Sequence, residues 1–171
     1  STAVNGVLNV YRTGANTAGV TLTGSSSQIS TFGSDGLEQI RLWGPSYGEI
    51  LLNDFTGNDQ TVKLTANADG GGSLFLYHSN NSARAELLAS SLYGGLYLRT
   101  TNGATRAYMV GSNSGGEISA YAGDGSLGAR IYGDSGGGGL MNLYNDVGNV
   151  RLALDGYGYN DGGQITAYTA A

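Results

Sequence analysis

A short alternating unit recurs along the whole 171-residue chain, and that recurrence excludes every fold not built by repetition. Copies begin at Gly6, Ser27, Gly48, Gly72, Gly94, Gly116 and Gly139, with a partial one at Gly163, at intervals of 21, 21, 24, 22, 22, 23 and 24 residues. The clearest copy runs Gly139-Leu140-Met141-Asn142-Leu143-Tyr144 and then Val150-Arg151-Leu152-Ala153-Leu154-Asp155. In its first half Met141 and Leu143 share one face of a strand, and Leu140, Asn142 and Tyr144 the other; in its second half Val150, Leu152 and Leu154 share a face. Turn formers lie between the halves, from Asn145 to Asn149, and after them, from Asp155 to Gly162. The unit reads as strand, turn, strand, turn.

Overlaying the copies gives columns. Two residues after each start stand Leu8, Ile29, Ile50, Leu74, Leu96, Ile118, Met141 and Ile165, all apolar. Four after it stand Val10, Thr31, Leu52, Leu76, Leu98, Ala120, Leu143 and Ala167. The second strands align as Val20, Ile40, Val62, Ala85, Ala107, Ala129 and Val150, then Leu22, Leu42, Leu64, Leu87, Met109, Ile131 and Leu152. A small residue comes next in Gly24, Gly44, Ala66, Ala89, Gly111 and Gly133, with Leu154 as the exception. The expectation is an all-β fold, one repeat domain over 1–171 with a two-strand unit of about 22 residues.

Thirty-one glycines and one proline would suggest a linker if they had no period, but here they punctuate alternating runs and read as bends of an ordered repeat. The charged fraction is 12% and the formal net charge is −5, so nucleic acid finds no basic footprint. There is no cysteine, hence neither a disulfide framework nor thiol chemistry. No apolar run approaches the length of a membrane-spanning helix, and no membrane insertion is expected. The chain starts at Ser1 rather than Met, which reads as a removed leader or as a piece of something longer.

A unit with one apolar face cannot bury that face alone. Three architectures satisfy the pattern: a single-chain β-solenoid with one coil per repeat, a trimeric β-helical fibre whose chains bring apolar faces to a common axis, and an antiparallel meander packed on something else. The connection from Tyr144 to Val150 is hairpin-short, whereas eight residues separate Tyr11 from Val20. Two features favour oligomers. The pattern reaches both ends, without the polar caps that protect a monomeric solenoid's open edges. The apolar set is about four side chains per repeat, several only Ala, which suits a thin shared core. The expected partner is the chain itself, as a homotrimer or an end-to-end filament.

Five residues after each start stand Tyr11, Phe32, Asn53, Tyr77, Arg99, Tyr121, Tyr144 and Tyr168, aromatic in six of eight copies. In register, Tyr11, Phe32, Tyr77, Tyr121, Tyr144 and Tyr168 would form a ladder. Its first use is cross-strand packing, worth roughly 0.2–1 kcal/mol per pair. Its second is a track for surface polysaccharide. Trp43, Tyr97, Tyr108, Tyr132, Tyr157 and Tyr159 are placed less regularly and are candidates for contacts between chains.

Catalysis finds little support, and no enzyme, cofactor or metal is expected. The lone histidine, His78, sits in a turn without the partners a triad or metal cluster needs. Asp54, Asp59, Asp69, Asp124, Asp134, Asp146, Asp155 and Asp161 fall mostly in turns, where Asp bonds nearby backbone amides. Glu49 and Glu117 share one strand position in different copies, a pairing that repetition produces by itself. The runs Asp69-Gly70-Gly71-Gly72 and Gly133 to Gly139 lack the Lys-Ser/Thr of a phosphate loop. The period rules out a nine-residue calcium roll, and Thr21 and Thr23 have no matching ranks for an ice-binding face.

The unit in Gly138-Gly139-Leu140-Met141-Asn142-Leu143-Tyr144-Asn145 and Val150-Arg151-Leu152-Ala153-Leu154-Asp155-Gly156 resembles the glycine-rich repeats of bacteriophage tail-fibre shafts and related bacterial extracellular fibres, over essentially the whole chain. That resemblance implies a rigid, rod-shaped, homo-oligomeric structural protein, borne on a virion or outside the cell. It departs from a complete fibre in lacking a recognisable tip, collar or chaperone-like end. The alternatives are a bacterial extracellular filament subunit or glycan-binding adhesin, and behind them a polysaccharide depolymerase.

Overall fold

The computed structural model describes residues 6–11, 18–24, 26–44, 48–54, 56, 59–66, 68, 70–78, 82–133, 138–156 and 162–169. The chain divides into two compact units, Ser1–Ala83 and Arg84–Ala171. The first holds β1 (Val7–Tyr11), β2 (Ala18–Thr23), β3 (Gln28–Phe32), β4 (Glu38–Trp43), β5 (Glu49–Asn53), β6 (Gln60–Ala66) and β7 (Gly72–Tyr77). The second holds β8, which starts at Ala83 (Ala83–Ala89), β9 (Tyr93–Arg99), β10 (Thr105–Ser112), β11 (Gly115–Tyr121), β12 (Leu127–Gly133), β13 (Gly139–Tyr144), β14 (Val150–Asp155) and β15 (Gln164–Ala167). Within each unit the strands lie in chain order, each antiparallel to the next. The all-β repeat is therefore present. The pairing is that of the meander: a solenoid would pair each strand with its equivalent one repeat on, and here each pairs with its immediate neighbours in sequence.

Turn chemistry explains that choice. Short connections of five residues close β3–β4, β9–β10, β11–β12 and β13–β14. In each, the first residue's N–H donates to the fifth residue's carbonyl, for instance Ala122 to Ser126 at 2.8 Å and Asn145 to Asn149 at 2.9 Å. The fourth position is glycine with φ near +90°, as at Gly125 (94°) and Gly148 (82°), a left-handed conformation that L side chains resist. An Asx side chain holds several of these loops: Asp124 accepts the Ser126 amide at 2.9 Å, and Asp35 the Leu37 amide at 3.0 Å. Asp54 does the same for Thr56 at 2.9 Å. Such a loop returns the chain beside itself and allows no crossover.

Register fixes what each face carries. On one face the central row of the second unit runs Leu87, Leu96, Met109, Ile118, Ile131, Met141, Leu154 and Ile165, each directly opposite the next. In the first unit the same row is Leu8, Leu22, Ile29, Leu42, Ile50, Leu64 and Leu74. A second row on that face joins Leu98, Ala107, Ala120 and Ala129 to Leu143 and Leu152. On the other side of the central row lies a line of small residues, in which Ala89 faces Gly94, Gly94 faces Gly111, and Gly111 faces Gly116.

This register corrects one alignment. Leu154, the exception in the small-residue column, pairs with Met141 and belongs to the central row. Leu152 pairs with Leu143, and Val150 lies one pair further out, opposite Tyr144 across a β-bulge. The small residue of that copy is Gly156, whose amide donates to the Gly139 carbonyl at 2.8 Å, as Gly24 does to Gly6 at 2.8 Å.

Burial is inverted relative to an ordinary domain. Among the described residues the only buried apolar side chain is Leu51, which lies opposite the polar Lys63 and on the face away from the aliphatic rows. The other buried side chains among the described residues are Ser30, Ser73, Ser119 and Asn142, all polar. The aliphatic rows are open.

Candidate functional site

The apolar face is the first candidate, and its surface is continuous within each unit. In the central row Leu87 is 54% exposed, Met109 53%, Ile118 44% and Ile131 46%. Soluble chains seldom leave an apolar patch of this extent uncovered. A groove of about 550 Å³ follows the small-residue line of the second unit, between Gly94, Gly111 and Gly116 on one side and Leu96, Met109 and Ile118 on the other. The first unit has a counterpart of about 530 Å³ at Gly6, Leu8, Leu22, Gly24 and Ile29.

The polar face of the second unit is the second candidate. Glu117 on β11 accepts from the Tyr108 hydroxyl, from Ser119 Oγ at 2.7 Å and from Arg130 Nη2 at 2.7 Å. Burial pushes its carboxyl up, but those three donors outweigh burial and hold it at about 2. Burial, then the bond to Glu117, pushes the Tyr108 hydroxyl up to about 12. The Arg130 guanidinium lies 4.4 Å from the centre of the Tyr132 ring. Tyr97, Tyr108 and Tyr121 form a run of tilted rings, each 6.0 Å from the next. A shallow depression of about 520 Å³ lies among Tyr97, Tyr108, Glu117, Arg130 and Tyr132. Glu117 and Arg130 pair with one another there through Arg130 Nη2, while Arg130 Nε is buried without a hydrogen-bond partner.

The same diagonal pair recurs. Glu49 meets Lys63 at 2.6 Å, and Glu86 meets Arg99 at 2.9 Å. Glu49 and Glu117 do hold one strand position, and each is ion-paired to a cation on the following strand. Sequence reading missed these pairs and the buried Ser30 and Ser119. The available signal was an acid and a base 13 or 14 residues apart across a hairpin, legible only once register is known.

The aromatic column falls on alternate strands, so successive members are separated by two strand spacings, about 9.6 Å. Tyr11, Phe32, Tyr121 and Tyr144 each follow a β-bulge at the end of a strand. Tyr77 packs on Phe75 at 5.9 Å, Tyr121 on Tyr108, and the Tyr144 hydroxyl accepts from Asn142 at 3.3 Å. Tyr11 and Tyr168 are exposed. Tyr77, Tyr121 and Tyr144 thus contact residues of their own or the neighbouring strand. Trp43 is exposed at the end of β4. His78 is exposed, and its amide donates to the Ser82 carbonyl at 3.2 Å. Tyr157, Tyr159, Asp69, Asp134 and Asp161 lie outside the described residues.

Fold and faces together define a class: an antiparallel β-meander repeat with one ion-paired polar face and one open aliphatic face. No protein-family model matches the chain, and no curated protein matches it either.

Proposed function

We propose that this chain is a structural module of a fibre or shaft, working as a rigid homo-oligomeric rod whose copies share their aliphatic faces, on a virion or outside the cell. The observation that carries the reading is the open apolar face, which repeats strand after strand and has no cover within its own unit. Hydrophobic burial is worth about 25 cal/mol per Å², so aliphatic side chains left about half exposed strand after strand favour association. The polar face is compatible with the same reading, its carboxylates Glu49, Glu86 and Glu117 each being ion-paired to a cation on the following strand. A lipid bilayer is a poorer cover: the strands run four to eight residues, short of the roughly 9–11 that cross one.

A second reading, a glycan-binding adhesin, is favoured by the Tyr97, Tyr108 and Tyr121 run beside the polar depression. A glycan array tests it directly. The native mass by light scattering behind size exclusion tests the rod: a discrete mass near three times 17.5 kDa, or long filaments in negative stain, is the expected result. A stable monomer would overturn it.

A further inference from the structure

Gly95 is the exception in its column. The residue after each repeat start carries a side chain in the other copies, as in Glu49, Ser73, Glu117 and Leu140. Gly95 lies inside β9 without a left-handed φ, so its backbone does not call for glycine. Its neighbour on the same face does. The Tyr97 ring leans back along the strand over Gly95, and a Cβ there would stand 2.9 Å from Tyr97 Cε2 and 3.2 Å from Cζ and the hydroxyl oxygen. Gly95 is accordingly the buried residue of β9.

The row through Gly95 crosses the polar face as Gly95, Val110, Glu117 and Tyr132, each opposite the next. Tyr97 covers one end and Tyr132 stands at the other, three strand spacings or about 14 Å away. The depression of about 520 Å³ is therefore a trough with an aromatic wall on either flank and Val110 and Glu117 between them. Its ion pair has capacity left. Glu117 Oε1 accepts from Tyr108 and Ser119, whereas Oε2 accepts from Arg130 Nη2 alone among the described residues. A carboxylate can take about four donors. Arg130 Nε is buried without a partner, on a side chain that is 37% exposed and can tilt to uncover it.

Resting on the glycan reading above, we infer that Tyr97, seated on Gly95, is the stacking wall of a site for a neutral pyranose, one hydroxyl of which donates to Glu117 Oε2 and accepts from Arg130 Nε. A hydroxyl serves both groups at once, whereas a carboxylate only accepts and an ammonium only donates. Aromatic faces carry negative charge at their centres and take the C–H face of a sugar ring. A uronate would set its own charge against Glu117, a like-charge contact that selects against it. Pockets of this size, with aromatic walls and a few convergent polar groups, are the usual form of a small-ligand site. The trough lies on the face left outward when copies share their aliphatic rows. Gly95 is a positioning residue here: it touches no sugar and sets where the Tyr97 ring rests.

Gly95→Ala is the discriminating variant. The atoms its Cβ would strike are the far end of the Tyr97 side chain, so the ring lifts while the strand stands. Saturation-transfer NMR on the full chain reads binding to hexasaccharides of glucose, mannose and galactose, with a hexagalacturonate as the acidic probe. The parent is expected to bind at least one neutral probe and to prefer it to the uronate. Gly95→Ala and Tyr97→Ala should each weaken that binding roughly tenfold or more, with no fall in the melting temperature of Gly95→Ala, and Tyr97→Phe should bind as the parent does. Should Gly95→Ala fail to fold, Tyr97→Ala decides. Neutral-sugar binding undiminished in both variants overturns this site and leaves the adhesin reading standing, as does equal or tighter binding of the hexagalacturonate. A parent that binds none of the probes overturns this site and the adhesin reading together.

Discussion

The Tyr108 hydroxyl donates across the β10–β11 pair to the Glu117 carboxylate, and that one bond ties the tyrosine run to the ion pair with Arg130. Each partner displaces the other's titration. The carboxyl is held at about 2 and the phenol is pushed to about 12.

Acid should loosen the second unit through Glu117. Its folded value is depressed, so its contribution is whole above about pH 4.5 and is lost as pH falls toward about 2. Thermal melting from pH 5 to pH 2 should show that limb, and Glu117→Gln should flatten part of it while lowering the melting point at pH 7 through the unpaired Arg130. A Glu117→Gln chain with an unchanged acid limb would remove Glu117 from the account.

Alkali acts through Tyr108. The folded chain holds this proton more tightly than the unfolded chain does, so the contribution is whole below about pH 10 and lost as pH climbs to about 12. Tyr108→Phe should cost about 1 kcal/mol at neutral pH and remove that alkaline loss, read by urea midpoints at pH 7, 10 and 11.5. Truncation to Ala should cost more than Tyr121→Ala, since Tyr108 touches two rings and Tyr121 one.

Gly125 and Gly111 should respond oppositely to alanine. Gly125 sits at φ 94°, where a Cβ costs about 1–2 kcal/mol, so Gly125→Ala should lower the urea midpoint. Gly111→Ala meets no intrachain obstacle and should leave the unfolding of separated chains unchanged or improved.

If copies share the aliphatic face as proposed, Leu87→Asp and Ile131→Asp should abolish association, because each places an unpaired charge in it. Both residues are about half exposed in the single chain, so their circular dichroism should remain that of β-structure while the native mass falls. Retention of the full mass in both variants would remove these positions from the interface.

The periodicity located the aliphatic rows because alternation fixes which face a residue takes. It could not fix position along the strand in the last full copy, where Val150, Leu152 and Leu154 offer three equivalent choices. The bulge at Tyr144 and the Gly156 to Gly139 bond decide among them. The starting glycines and the small residues after the second strands looked like separate columns. Antiparallel pairing makes them one line, since the order small, large, intermediate reverses with chain direction. The polar cluster was illegible for a related reason: Glu117 and Arg130 are neighbours only by register, and Ser119 is a buried hydroxyl that donates to the same Glu117. Whether the apolar face turned inward or stayed open was likewise beyond periodicity, which assigns residues to sides and not sides to surroundings.

A repeat of two strands brings the chain back to the margin from which it left. Adding one lengthens a sheet by two strand spacings, about 9.6 Å, and presents the next copy with the same sides in the same sequence direction. Adding a single strand would put every later five-residue turn on the wrong margin. Such a chain can therefore be extended or shortened by duplication and loss in steps of fixed size, as a ruler is cut, with no new packing to be invented at the join.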